Sequence, residues 1–278
     1  MPRRLGVIGY PVDHSISPAI HQAALDQLGI DARYERWAVT PEALPAWVAT
    51  LRAPDVLGAN VTVPHKEAVL PLLDELLPAA RAIGAVNTIV NVGGRLRGEN
   101  TDAAGFARAL QEAGYQQPGG AVVLLGAGGA ARAIAHALLE WGVDRLTIVN
   151  RHLPRAEALV SAMQARAGRV VIEACALASP SLDACLAACD LLINATSVGM
   201  RPGERILRPD QVPAGALVVD IVYNPPVTPL LADAAARGAR TLNGVPMLVY
   251  QAALAFELWT GQPPPLATMF RAAHEALA

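Results

Sequence analysis

Ala121-Val122-Val123-Leu124-Leu125-Gly126-Ala127-Gly128-Gly129-Ala130-Ala131 is an apolar run of strand length, then a glycine-rich turn that opens an alanine-rich stretch. The turn fits G-x-G-x-x-A, and each small residue has a physical task. Gly126 makes the tight turn, Gly128 lets a pyrophosphate approach the backbone, and Ala131 packs helix on strand. The N-terminus of the following helix then faces the phosphate charge. A strand, loop and helix in this order predict a dinucleotide site formed by Gly126, Ala127, Gly128, Gly129 and Ala130.

Outward from this loop, short apolar runs alternate with longer helical patterns. Strands are expected over 121–125, 145–149, 170–173, 191–194 and 217–221, with helices over 129–141, 154–167 and 182–189. That is the order of a doubly wound nucleotide-binding domain. Upstream, strands are expected over 5–8, 33–39, 58–61 and 86–92, helices over 18–28, 41–51 and 64–77, and a hairpin turn at Gly93-Gly94. A helix over 103–113 leads to a break at 116–120, and two helices over 245–260 and 266–276 close the chain. The alternation predicts an α/β protein with parallel sheets.

The strand over 145–149 ends in Asn150-Arg151, where an NAD-binding domain places a carboxylate on the ribose. No carboxylate is present. Arg151 and Arg155, one helical turn apart, suit a 2′-phosphate, so NADP is expected as cofactor rather than NAD.

Composition excludes several classes. The chain of 278 residues is 53% apolar and 17% charged with a net charge of −2, which excludes disorder and gives no footprint for nucleic acid. Three cysteines, Cys175, Cys185 and Cys189, have neither disulfide nor zinc spacing and read as small core residues in a reducing compartment. Arg3-Arg4 is followed by too short an apolar run for a signal, and the most apolar long stretch, 121–143, holds four glycines, Arg132, His136 and Glu140. A soluble, cytoplasmic protein with no bound metal, no membrane partner and a small-molecule substrate is expected.

Of 22 basic side chains, 21 are Arg and one is Lys, at position 66. A position that stays Lys in so Arg-biased a chain points to an amine that must lose its proton. With Pro64 at the first position of the expected helix, Lys66 would oppose the macrodipole, which predicts a lowered pKa suited to proton transfer. Ser17 before Pro18, and Asp102 before 103–113, also read as helix N-caps, a reading that leaves Ser15 without a role.

The ordered segments His14-Ser15-Ile16-Ser17-Pro18, Asn60-Val61-Thr62-Val63-Pro64-His65-Lys66, Ala85-Val86-Asn87-Thr88, Asn100-Thr101-Asp102, the glycine loop with Asn150-Arg151, Asn194 to Met200, Tyr223-Asn224-Pro225 and Gly244 to Gly261 resemble the shikimate dehydrogenase family over essentially the whole chain. The resemblance implies an N-terminal α/β substrate domain (1–102), a doubly wound Rossmann NADP domain (103–243) and C-terminal helices (244–278) that return to the first domain, with the active site in the cleft. It implies reversible NADPH-dependent reduction of 3-dehydroshikimate to shikimate by a monomer or homodimer.

By motif position, Lys66 and Asp102 are the catalytic pair. The resemblance implies that Ser15, Ser17 and Tyr223 hold the substrate carboxylate and that Thr62, Asn87, Asp102 and Gln251 bind ring hydroxyls. Thr196, Ser197, Ile221, Gly244 and Met247 join Asn150, Arg151 and Arg155 at the cofactor. The chain departs from the family pattern at Ala103, at His152, which either stacks on adenine or caps the next helix, and at Pro225-Pro226-Val227. Quinate or an amino analogue of shikimate stays open as substrate. A module that binds NADP without catalysis is the alternative of a different class.

Overall fold

The computed structural model describes residues 2–115, 119–201 and 203–278. The chain divides into two compact units, residues 1–105 with 249–278, and residues 106–248. The expected break at 116–120 falls mostly on residues 116–118, outside the described residues.

The first unit opens with β1 (Arg3–Gly9), α1 (Ser17–Gln27), β2 (Ala32–Ala38), α2 (Leu44–Thr50) and β3 (Gly58–Val61). It continues through β4 (Glu75–Leu76), α3 (Pro78–Ile83), β5 (Thr88–Val92) and β6 (Arg95–Glu99). Its six strands run β2-β1-β3-β5-β6-β4. This sheet is mixed, which corrects the all-parallel expectation, because β5 pairs antiparallel with both β3 and β6. The cause is local. Gly93 and Gly94 have φ of +60° and +89°, and such a two-residue turn folds β6 straight back on β5. Ile8, Val48, Val61, Ile89 and Leu96 pack one core beside the sheet.

The helix expected over 64–77 does not form. Turns, a short 3₁₀ segment at Leu70–Leu72 and β4 occupy the stretch instead. Pro71 stands where the helix interior would need an N–H, so the apolar spacing of Val69, Leu72, Leu73 and Leu76 cannot propagate as a helix. The macrodipole argument for Lys66 falls with it.

From β6 the chain enters α4 (Asp102–Glu112), whose first four residues belong to the first unit. The second unit contains β7 (Ala121–Leu125), α5 (Gly129–Trp141), β8 (Arg145–Asn150), α6 (Leu153–Gln164), β9 (Val171–Ala176) and α7 (Leu182–Ala187). After these come β10 (Leu191–Asn194), β11 (Leu217–Asp220), α8 (Pro229–Ala236) and β12 (Arg240–Leu242). The strand order β12-β11-β10-β7-β8-β9, parallel throughout, is that of a doubly wound sheet whose direction of winding switches between β7 and β10. Buried on both faces, β10 and β11 are apolar apart from their last residues, Asn194 and Asp220. Cys175 and Cys189 are buried among Leu186, Leu192 and Val218, with Cys185 at the margin, and burial pushes the Cys189 thiol up to about 12.

The chain then passes through α9 (Val245–Thr260) into α10 (Leu266–Glu275). The part of α9 from Val249 onward and all of α10 complete the first unit. There α10 packs on α1, burying Met269 and Ala273, and Trp259 Nε1 donates to Ile89 O at 2.9 Å. Among the described residues no helix is long and apolar enough to cross a membrane.

Candidate active site

In the first unit, β1, β3 and β6 end and β5 begins at one edge of the sheet, because β6 reverses the direction of β5. The loops leaving that edge carry the polar residues singled out above. Backbone bonds tie the first two loops together: Thr62 N donates to Ile8 O and Tyr10 N to Val63 O. The turn after β3 presents Lys66, whose carbonyl accepts from Val86 N. Lys66 Nζ lies 2.5 Å from Asp102 Oδ2, with the side chains 13% and 6% exposed.

Asn87 organises the pair. Its Nδ2 is 2.8 Å from Asp102 Oδ1, 2.9 Å from Thr101 Oγ1 and 3.2 Å from Gln251 Oε1, and its two hydrogens serve two of these at a time. Its Oδ1 accepts from Thr101 N at 2.7 Å. Both carboxylate oxygens of Asp102 are thus bonded by side chains, and the expected N-cap role of Asp102 is replaced by this network. Gly105 permits the approach of α9, since a Cβ there would stand 2.7 Å from Gln251 N.

Ser15 and Ser17 are buried together, with Ser15 Oγ 3.1 Å from Ser17 Oγ and accepting from Ser17 N at 3.3 Å. The N-cap position of α1 is Ile16, and no side chain caps the helix, so the capping role read for Ser17 is not found. The Thr62 hydroxyl is half-buried and has no hydrogen bond among the described residues. Sequence reasoning gave no role to Asn60 or Tyr34. Asn60 Nδ2 donates to Asn87 O and Thr88 Oγ1, and its Oδ1 accepts from Tyr34 Oη at 2.6 Å. A buried amide in the otherwise apolar strand Gly58–Val61 was the available signal.

In the second unit, the loops after β7 and β10 flank the switch point. Gly126 has φ of +116°, and a Cβ there would meet Ala195 O at 3.0 Å, so only glycine fits. Ala127 is buried beside it. α5 starts at Gly129-Ala130 with no side-chain cap, and a Cβ on Gly128 would meet nothing within 4 Å. Uncapped N–H groups facing open space are what a pyrophosphate requires.

Beyond β8, Asn150 Nδ2 donates to His152 O, and His152 holds the N-cap position of α6 without a side-chain bond. Arg151 and Arg155 are exposed and without an ion-pair partner among the described residues, free to take a phosphate. The residues present therefore fit NADP.

On the other side of the switch point, Thr196 Oγ1 donates to Asn194 Oδ1 at 2.7 Å, and Ser197 is exposed next to it. Ile221 and Tyr223 follow β11, Gly244 packs its backbone on Ile221, and Met247 is buried in the first turn of α9. Between these loops lies Asp220, fully buried. Burial pushes its carboxyl up, opposed by bonds from Thr228, Val222 and Asn194. The sheet edge of the first unit therefore groups Ser15, Ser17, Thr62, Lys66, Asn87, Asp102 and Gln251, whereas Tyr223 lies in the second unit with the cofactor candidates.

Three family models cover most of the chain: a shikimate dehydrogenase substrate binding domain at residues 7–89, a shikimate/quinate 5-dehydrogenase domain at 109–234, and a shikimate 5′-dehydrogenase C-terminal domain at 244–273. A Methanopyrus kandleri protein named shikimate dehydrogenase (NADP(+)) is 46% identical over 277 residues, 98% of this chain and 95% of that one. A protein of the same name from Geobacillus kaustophilus is 45% identical over 280 residues, covering 100% and 99%. The crystal structure of shikimate 5-dehydrogenase from Thermus thermophilus, in complex with NADP(H) and shikimate, superposes with a TM-score of 0.88 at 42% identity, covering 99% of this chain and 100% of that one. With family matches from residue 7 to residue 273 and whole-length relatives near 45% identity, the chain belongs to the shikimate dehydrogenase family.

Proposed function

We propose that the chain is an NADP-dependent oxidoreductase that interconverts 3-dehydroshikimate and shikimate, with residues 1–102 and 244–278 serving mainly the substrate and 103–243 mainly the cofactor. The observation that carries the chemistry is the buried contact of Lys66 with Asp102. Bound NADPH supplies a hydride. A carbonyl carbon that accepts hydride leaves its oxygen as an alkoxide, and the Lys66 ammonium stabilises that charge and then gives it a proton. In the oxidative direction the neutral Lys66 amine takes the hydroxyl proton. Asp102, fixed by Asn87, holds Lys66 in place and accepts from a ring hydroxyl. Thr62 and Gln251 add contacts to ring hydroxyls, while Ser15, Ser17 and Tyr223 hold the carboxylate.

On the cofactor side, the N-terminus of α5 takes the pyrophosphate, with Gly126, Ala127, Gly128, Gly129 and Ala130 lining its approach. Arg151 and Arg155 take the 2′-phosphate. Asn150, Thr196, Ser197, Ile221, Gly244 and Met247 line the rest. The same proposal makes the enzyme cytoplasmic and its assembly a monomer or homodimer.

Absorbance at the reduced-nicotinamide band, with shikimate, quinate and aminoshikimate each crossed with NADP and NAD, tests the reading. Shikimate with NADP is expected to give the highest kcat/KM. Turnover of quinate above shikimate would reassign the substrate, and silence with all three would leave a binding module.

A further inference from the structure

Asp220 ends β11 with a fully buried carboxylate that the chemistry above does not use. Its oxygens accept three bonds from neutral donors: Thr228 Oγ1 to Oδ2 at 2.7 Å, Asn194 Nδ2 to Oδ1 at 3.0 Å and Val222 N to Oδ1 at 3.0 Å. Each donor belongs to a different piece of the second unit. Asn194 is itself saturated, with Oδ1 accepting from Thr196 N and Oγ1 and Nδ2 also donating to Val198 O, so its side chain shapes the whole turn 194–198. Val222 N is the last backbone donor before Tyr223. Thr228 caps α8 by accepting from Leu231 N. One carboxylate thus joins the loop of Thr196 and Ser197 to the segment of Ile221 and Tyr223, across the ends of neighbouring strands.

We propose that Asp220 is a positioning residue that fixes the Thr196–Ser197 loop and the Tyr223 segment together. One substitution there shifts recognition of cofactor and of substrate carboxylate at the same time. This rests on the roles proposed above for Thr196, Ser197 and Tyr223. The buried setting makes the link stiff, because a donor that loses this acceptor finds no water to replace it. Asparagine is the conservative replacement. Its Oδ1 still accepts from Asn194 and Val222, and its amide can donate to Thr228 Oγ1 in place of the bond that oxygen now gives.

The test measures NADP Kd by tryptophan fluorescence, KM and kcat with shikimate, and Tm, for Asp220→Ala, Asp220→Asn, Thr228→Val and, as a control for core destabilisation in the same unit, Leu186→Ala. Asp220→Ala is expected to raise NADP Kd and shikimate KM together by about tenfold or more, with kcat changed less. Asp220→Asn should recover most of both, and Thr228→Val should give a smaller rise in both. If Asp220→Ala does not fold, Thr228→Val decides alone. The proposal is overturned if Kd and KM stay at the wild-type values, if only one of them moves, or if Leu186→Ala moves them equally for the same loss of Tm. A wild-type protein inactive on shikimate would instead refute the proposed function. The joint shift would then be read from NADP Kd and from shikimate binding by calorimetry.

Discussion

Lys66 is where composition and geometry meet, since the chain's single lysine is the cation that touches Asp102. Lys66→Ala should fold and bind NADP normally while kcat falls by about 10²–10⁴-fold, the range for removing a positioned acid or base. Lys66→Arg separates charge from proton transfer, because guanidinium does not titrate near neutrality. It should rescue little, and near-normal kcat in that variant would remove Lys66 from the proton path. A second residue is expected to contribute to acid sensitivity. His21, in α1, stacks on Tyr34 with centroids 4.3 Å apart, neither ring nitrogen is hydrogen-bonded, and burial pushes it down to about 3, with only the Asn60 amide opposing. The unfolded chain binds a proton there below about pH 6.5, whereas the folded one does not until about pH 3. Stability is therefore present above pH 6.5 and lost as pH falls, at up to about 1.4 kcal/mol per pH unit. His21→Phe keeps a stacked ring and removes the titration. Urea melts of this variant from pH 7 to pH 4 should show a flatter decline than wild type, and equal slopes would place the acid sensitivity elsewhere.

Among the elements, the turn between β8 and α6 and the first turn of α6 are the proposed determinants of cofactor choice, because they carry Arg151 and Arg155 and no carboxylate. Replacing both with Ala should weaken NADP binding by about tenfold or more and leave NAD nearly unchanged in fluorescence titrations. An equal loss for both cofactors would contradict a 2′-phosphate role. This part of the fold was the most legible in the sequence. Both β7 and α5 begin and end where periodicity and glycine put them, since a parallel core strand is a plain apolar run and the glycine turn is unambiguous. The stretch 64–77 misled because apolar spacing alone ignores the missing N–H of Pro71. The element α8 was overlooked behind Pro225-Pro226, and β6 behind the Gly93-Gly94 turn, since β6 alternates charged with small or apolar residues and lacks a continuous apolar run. At the site, the residue types were legible but their partners were not. Asp102 and Ser17 each look like a cap in one dimension, and only the sheet edge brings Lys66 and Asn87 to the one and Ser15 to the other.

At the scale of the whole molecule, the first unit is discontinuous, with residues 249–278 completing what residues 1–105 begin. Deleting α10 uncovers the part of α1 that packs against it and removes the bond from Thr268 to Gln27. The truncated protein should lose shikimate binding and show an early melting transition, yet keep an NADP-binding second unit, as calorimetry and fluorescence titration would report. A single unshifted transition would mean that the return segment contributes little. The same interrupted connectivity sets a timetable for synthesis. Val249 is 144 residues beyond Gly105, so a ribosome adding about 5–20 residues per second reaches it roughly 7–29 s later. During that interval the nascent first unit lacks the helices that cover α1, while the uninterrupted second unit can fold as it emerges. The half of the enzyme translated first is therefore the half that matures last, its α1 uncovered until α10 has been made.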